Sequence, residues 1–180
     1  MRSASFLGSL ILSLAWAGAA PAQTTYNWSK IDCGQSRIAA VPGLTCKVTN
    51  VVTTEGNVGA FRRWSADGMT RDGYIHIFLW EGENSFSYVT TDETTAEFLK
   101  WMYVNSSSAA EFTPVARYGE ADYSQFKDTK QTQDCAGFRR TGNPRRGGYD
   151  WIMGGIICTP AGRRLANGQL AQFIDRPWRR

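Results

Sequence analysis

His76 is the only imidazole in the chain, so any Ser-His or Cys-His nucleophilic scheme must use it. It sits between Ile75 and Ile77 in a strand-like run, and the chain has no G-x-S-x-G segment to supply a partner. A histidine so placed is more often a satisfied structural residue. Glu81 and Glu83 offer a second kind of chemistry, since a carboxylate pair can act as acid and base in glycoside hydrolysis. Both fall at an expected turn, where charges ordinarily serve solubility and no burial is predicted that would perturb them. Metal chemistry fares worse. The four cysteines, Cys33, Cys46, Cys135 and Cys158, contain no C-x-x-C and the chain has only one histidine, so the spacing does not match a zinc site. No catalytic residue, metal site or cofactor is assigned.

The arginines carry more. Arg139 and Arg140 follow Cys135-Ala-Gly-Phe138, and Thr141-Gly-Asn-Pro144 then reads as a turn leading into Arg145 and Arg146. The chain runs back through Tyr149 to Cys158, so a Cys135–Cys158 bridge would staple a hairpin whose tip presents four arginines. Arg163 and Arg164 follow. Guanidinium groups grip phosphate, sulfate and carboxylate with paired donors, which makes Arg139, Arg140, Arg145, Arg146, Arg163 and Arg164 the candidate anion-binding set. From Gln23 to Phe138, 10 basic residues oppose 14 acidic ones, whereas from Arg139 to Arg180 nine arginines face only Asp150 and Asp175. The plainer reading of such a charge run is a solvated face.

The first residues read as a short basic start at Arg2, an apolar run from about Phe6 to Ala17, and Ala20-Pro21-Ala22, the small-x-small pattern of a signal-peptidase site. Residues 1–22 are therefore expected to be a signal peptide and 23–180 a single secreted domain. No later segment reaches the roughly 20 apolar residues of a transmembrane helix. An even number of cysteines in a secreted chain predicts two disulfides. Of three possible pairings, local strand pairing favours Cys33 with Cys46 and Cys135 with Cys158, each loop worth about 3 kcal/mol.

The elements that must position these groups are mostly strands, expected over 47–53, 58–64, 74–80, 85–91, 112–118, 135–140 and 149–158. The clearest unit is a hairpin in which Tyr74 to Trp80 pairs with Ser85 to Val89 across a Gly82-Glu83 turn, setting Leu79 against Phe86 and Ile77 against Tyr88. Its other face carries His76, Phe78 and Trp80, which could stack on sugars or bases or fill core. A helix is predicted from Thr94 to about Asn105, with Thr94 and Glu97 spaced as a capping box and a stripe of Phe98, Trp101 and Met102 that needs a surface to cover. That aromatic face is the nearest candidate. A second helix is expected from an Asn167 cap to the stop before Pro177. The fold class is α+β: a mainly antiparallel sheet with one helix packed on a face, a short C-terminal helix and two disulfides.

Cys135-Ala-Gly-Phe138, the glycine-rich turn, Tyr149 to Gly155, Ile156-Ile-Cys158-Thr-Pro160 and the Leu165 to Ile174 segment together resemble a pattern in uncharacterised secreted bacterial proteins. The resemblance implies an extracytoplasmic setting and a C-terminal disulfide, and carries no activity. The leading expectation is a non-enzymatic secreted or periplasmic binding module. Its partner would be an anionic lipid, lipopolysaccharide, an acidic polysaccharide or an acidic protein, with nucleic acid a poorer fit outside the cytoplasm. The alternatives are a small carbohydrate-active hydrolase using Glu81, Glu83 or His76, and an inhibitor or host-interaction protein presenting the disulfide-held loop.

Overall fold

The structure, a computed structural model, describes residues 26–53, 59–103, 105–145, 147–176 and 178–179. The expected signal peptide over 1–22, and Arg146, lie outside them. The chain is mostly antiparallel sheet with two helices and two disulfides. Its strands are β1 (Trp28–Ile31), β2 (Thr45–Thr49), β3 (Val52–Thr53), β4 (Ala60–Thr70), β5 (Gly73–Gly82), β6 (Ala109–Ala110), β7 (Ala116–Tyr118), β8 (Ala121–Asp128), β9 (Gln133–Thr141), β10 (Pro144–Arg145), β11 (Gly148–Tyr149) and β12 (Trp151–Cys158). Among the described residues ten of them form one sheet in the order β1-β2-β4-β5-β12-β9-β8-β6, with β3 also on β4 and β7 on β8. Strands β10 and β11 pair separately at the tip of the β9–β12 hairpin. No helix among the described residues is long and apolar enough to cross a membrane.

Side chains alternate between the two faces of each strand, so the central strands β5 and β12 supply apolar residues to both. On one face Ile75, Ile77, Leu79, Met153, Ile157 and Phe138 are buried together with Leu170, Phe173 and Ile174 of α2 (Asn167–Asp175) and with Trp178. On the other, Phe78, Ile152, Ile156 and Phe126 share a cluster with Phe98, Leu99 and Met102 of α1 (Thr95–Met102). Glycine makes that approach possible. A Cβ on Gly154 would come within 3 Å of Phe98 and of Met102, and one on Gly137 would lie 2.6 Å from Leu99. The two disulfides join Cys33 to Cys46 and Cys135 to Cys158, the second between directly opposed positions of β9 and β12.

Several elements differ from the sequence reading, each for a local reason. Strand β5 pairs with β4 across an Arg71-Asp72 turn, over ten opposed positions from Thr70↔Gly73 to Phe61↔Gly82, and gives its other edge to β12. That ladder outcompetes the short partner expected at Ser85 to Val89. There Asn84 Oδ1 instead accepts from the amides of Phe86 and Ser87 and from the Ser87 hydroxyl, turning the chain away, and Val89 makes a single bridge to Tyr149. Helix α1 has the expected Thr94–Glu97 capping box but stops at Met102, because Tyr103 leaves the helix to donate its hydroxyl to buried Asp128 at 2.7 Å. In α2 the cap is Ala166, whose amide donates to Gln169 Oε1. Asn167 is the first helical residue. Strand β8 was not expected because two of its inward residues, Ser124 and Asp128, are polar; they are satisfied by the Thr113 carbonyl and by the amides of Lys130 and Gln131.

Candidate functional site

Helix α1 lies over β12, β9 and β8, and beside it the same face of β1, β2, β4 and β5 carries a groove. Directly opposed residues of neighbouring strands share a face, so the register builds the floor. Lys30 of β1 opposes Lys47 of β2, Lys47 opposes Ser65 of β4, and Asp67 opposes His76 of β5. Trp28, 43% exposed, stands at one side and Tyr74 at another, around a volume of about 520 Å³. That lies within the roughly 300–1,000 Å³ of small-molecule sites. Among the described residues no group of three or more histidine, cysteine or acidic side chains converges to hold a metal ion.

The floor is a set of neutralised polar pairs. Lys47 Nζ lies 3.2 Å from Asp67 Oδ1, and Ser65 Oγ lies 3.3 Å from His76 Nε2. Burial pushes the His76 imidazole below its ordinary range, against the raising pull of the Asp67 charge and the Met102 backbone, so the ring is neutral at pH 7. Burial, with the Asp67 charge adding to it, pushes the Tyr74 phenol up to about 12, which keeps it a hydrogen-bond donor. The Ser65–His76 contact has half of a nucleophilic triad. Its other ring nitrogen, Nδ1, is buried and meets no carboxylate among the described residues, where a triad places an orienting one. Beyond the groove, Arg63 stacks 3.7 Å from the Tyr26 ring centroid and 4.4 Å from that of Trp80, and Trp101 sits edge-on to Phe78.

The arginines singled out in the sequence are dispersed. Arg139 and Arg140 belong to the body of β9, where alternation sends them to opposite faces. Arg139 donates to the Glu93 carbonyl at 2.8 Å, tying down the segment that enters α1, and Arg140 donates to the Ile174 carbonyl near the end of α2. Arg145 stands on the exposed β10, 3.8 Å from Asp150. Arg163 and Arg164 are exposed in the loop before α2, and among the described residues neither has an ion-pair partner.

Glu81 faces away from His76, because the two differ by an odd number of positions along β5. Its carboxylate is held by Arg37 at 3.3 Å and Arg179 at 2.6 Å, and Glu83 by Arg62 at 2.7 Å. These carboxylates share no cleft with the histidine. The groove residues Trp28, Lys30, Lys47, Ser65 and Asp67 escaped the sequence reading because they meet only through a register spanning three strand pairs. The one legible signal was the alternation of Ser65 and Asp67 in β4 and the polar His76 between Ile75 and Ile77 in β5. Compared with known proteins, the chain matches no family model, no curated sequence and no solved structure.

Proposed function

We propose that the chain works outside the cytoplasm, in the periplasm or beyond the cell, as a non-enzymatic module that binds an anionic envelope component or an acidic protein through its arginine-rich C-terminal quarter. The two disulfides and the signal-like leader support the compartment. One observation carries the binding: Arg163 and Arg164 stay exposed and have no ion-pair partner among the described residues, with Arg164 near Lys127, in a chain whose Arg37, Arg62, Arg117 and Arg179 all meet acids. Arg145 stands apart, at the tip of the β9–β12 hairpin, whereas Arg163 and Arg164 follow its Cys135–Cys158 end, and Arg139 and Arg140 serve only by holding the scaffold. A hydrolase built on Glu81, Glu83 and His76 lacks the shared cleft such chemistry needs.

The test is retention on heparin and on immobilised lipopolysaccharide across a salt gradient, comparing wild type with Arg145→Gln, Arg163→Gln and Arg164→Gln combined. Several guanidinium contacts should make wild-type retention fall steeply with salt, and the triple variant should elute much earlier with an unchanged melting temperature. Equal elution would reduce these arginines to a solvated face. Gln at Arg139 or Arg140 should instead lower the melting temperature, because each would leave a backbone carbonyl without its charged donor.

A further inference from the structure

From the groove beside α1 we infer a second binding site, for a carboxylate-bearing pyranose such as a uronic acid unit. It uses none of the C-terminal arginines. Three features of the site point to this ligand. The first is shape: exposed Trp28 and half-buried Tyr74 flank a groove about the size of a small-molecule site, and flat aromatic faces pack against the C–H faces of a pyranose ring. The second is the floor, where Tyr74 is held as a donor, the Ser65–His76 pair is neutral, and Asp67 and Lys47 offer an acceptor and a donor at hydroxyl spacing. Such alternating groups suit a polyol better than an apolar ligand.

The third feature is charge, and it selects an acid sugar over a neutral one. Lys30 and Lys47 stand directly opposite each other across β1 and β2, an arrangement that destabilises a sheet. Asp67 neutralises Lys47 alone. Lys30 has no ion-pair partner among the described residues, so the protein carries an unfavourable like-charge pair at the lip of the groove that one ligand carboxylate would relieve. A bound uronate sets its ring on Trp28, its carboxylate on Lys30 and its hydroxyls on Asp67, Ser65 and Tyr74.

Tryptophan fluorescence and isothermal titration decide the matter, using tetramers of galacturonate and of glucuronate, N-acetylmuramic acid, and galactose tetramer as the neutral control. Wild type should bind at least one acidic probe more tightly than the neutral one. Lys30→Gln should weaken that binding about tenfold and remove the preference for acid, as expected for losing one charged contact, while leaving or raising the melting temperature. Trp28→Ala should abolish binding of acidic and neutral probes alike. The triple arginine variant should bind as wild type, so failure of the arginine surface and failure of the groove read out separately. The inference is overturned if wild type binds none of the acidic probes, or if binding survives both Trp28→Ala and Lys30→Gln.

Discussion

At the scale of single residues, His76 should make the fold sensitive to mild acid. Its pKa is depressed in the folded state from an ordinary value of 6.5, chiefly by burial. Well above pH 6.5 the ring is neutral in folded and unfolded chains alike and contributes no pH dependence. As the pH falls below 6.5 the unfolded chain takes up the proton first, so unfolding becomes easier until the folded ring protonates as well. His76→Gln keeps a group able to meet Ser65 and cannot titrate. The melting temperature of wild type should therefore drop further between about pH 7.5 and pH 5 than that of His76→Gln, a window well above the carboxylate range. Parallel drops would mean that the imidazole stays solvated in the folded protein. Asp128 acts lower. Burial raises its carboxyl, but hydrogen bonds from the Gln131 and Lys130 amides, Tyr103 and Ser108 outweigh this and hold it below its usual value, so its contribution is lost only in stronger acid. The sequence made His76 conspicuous as a lone imidazole, yet its partners Ser65 and Asp67 lie about ten residues away and become neighbours only through the β4–β5 register.

At the scale of elements, the seating of α1 depends on two glycines rather than on its own sequence. The capping box and the Phe98 stripe were readable because both are local, set by three- and four-residue spacings. The saddle of Gly137 and Gly154 was not, since a glycine within a strand reads equally well as a bulge or a turn. Gly154→Ala should place a methyl group under 3 Å from the Phe98 ring and Met102. The expected cost is about 1–3 kcal/mol, with Trp101 fluorescence shifted as the helix is pushed off its strand. Gly168→Ala, at a position with nothing within 4 Å of the added carbon, is the control and should be neutral or slightly stabilising. If both substitutions behaved alike, the helix would not be seated on the glycines. Edge strand β1 shows the converse limit. Its alternating Trp28 and Lys30 are ordinary edge-strand chemistry, where a lysine discourages pairing with another chain. Only the opposing Lys47 gives that residue a second meaning.

At the scale of the whole molecule, the charge asymmetry that suggested an external anionic partner is spent in part within the fold. The acidic stretch before Arg139 and the basic stretch after it meet across the sheet: Arg179 reaches Glu81, Arg139 reaches the Glu93 carbonyl, and Trp178 is buried against Phe173 with its indole N–H donating to the Phe173 carbonyl. Ile38 bridges Arg179, so the C-terminal residues dock beside the loop held by the Cys33–Cys46 disulfide. Glu81 joins these parts, because its one carboxylate, 13% exposed, binds Arg37 from the N-terminal loop and Arg179 from the C-terminus. No sequence pattern announces a contact of that range; the two arginines and the glutamate are 44 and 98 residues apart. Glu81→Gln would leave both guanidinium groups facing an amide, and since they are half-exposed the cost should be about 1–2 kcal/mol, between a surface pair and a buried one. The distinctive result concerns locality: amide hydrogen exchange should quicken at Ala39, whose amide donates to the Trp178 carbonyl, and at Trp178, whose amide donates to the Arg176 carbonyl, while β9 and β12 stay protected. Uniform loss of protection would instead make the carboxylate part of the global core, and no change would show that the C-terminus is held by Trp178 alone.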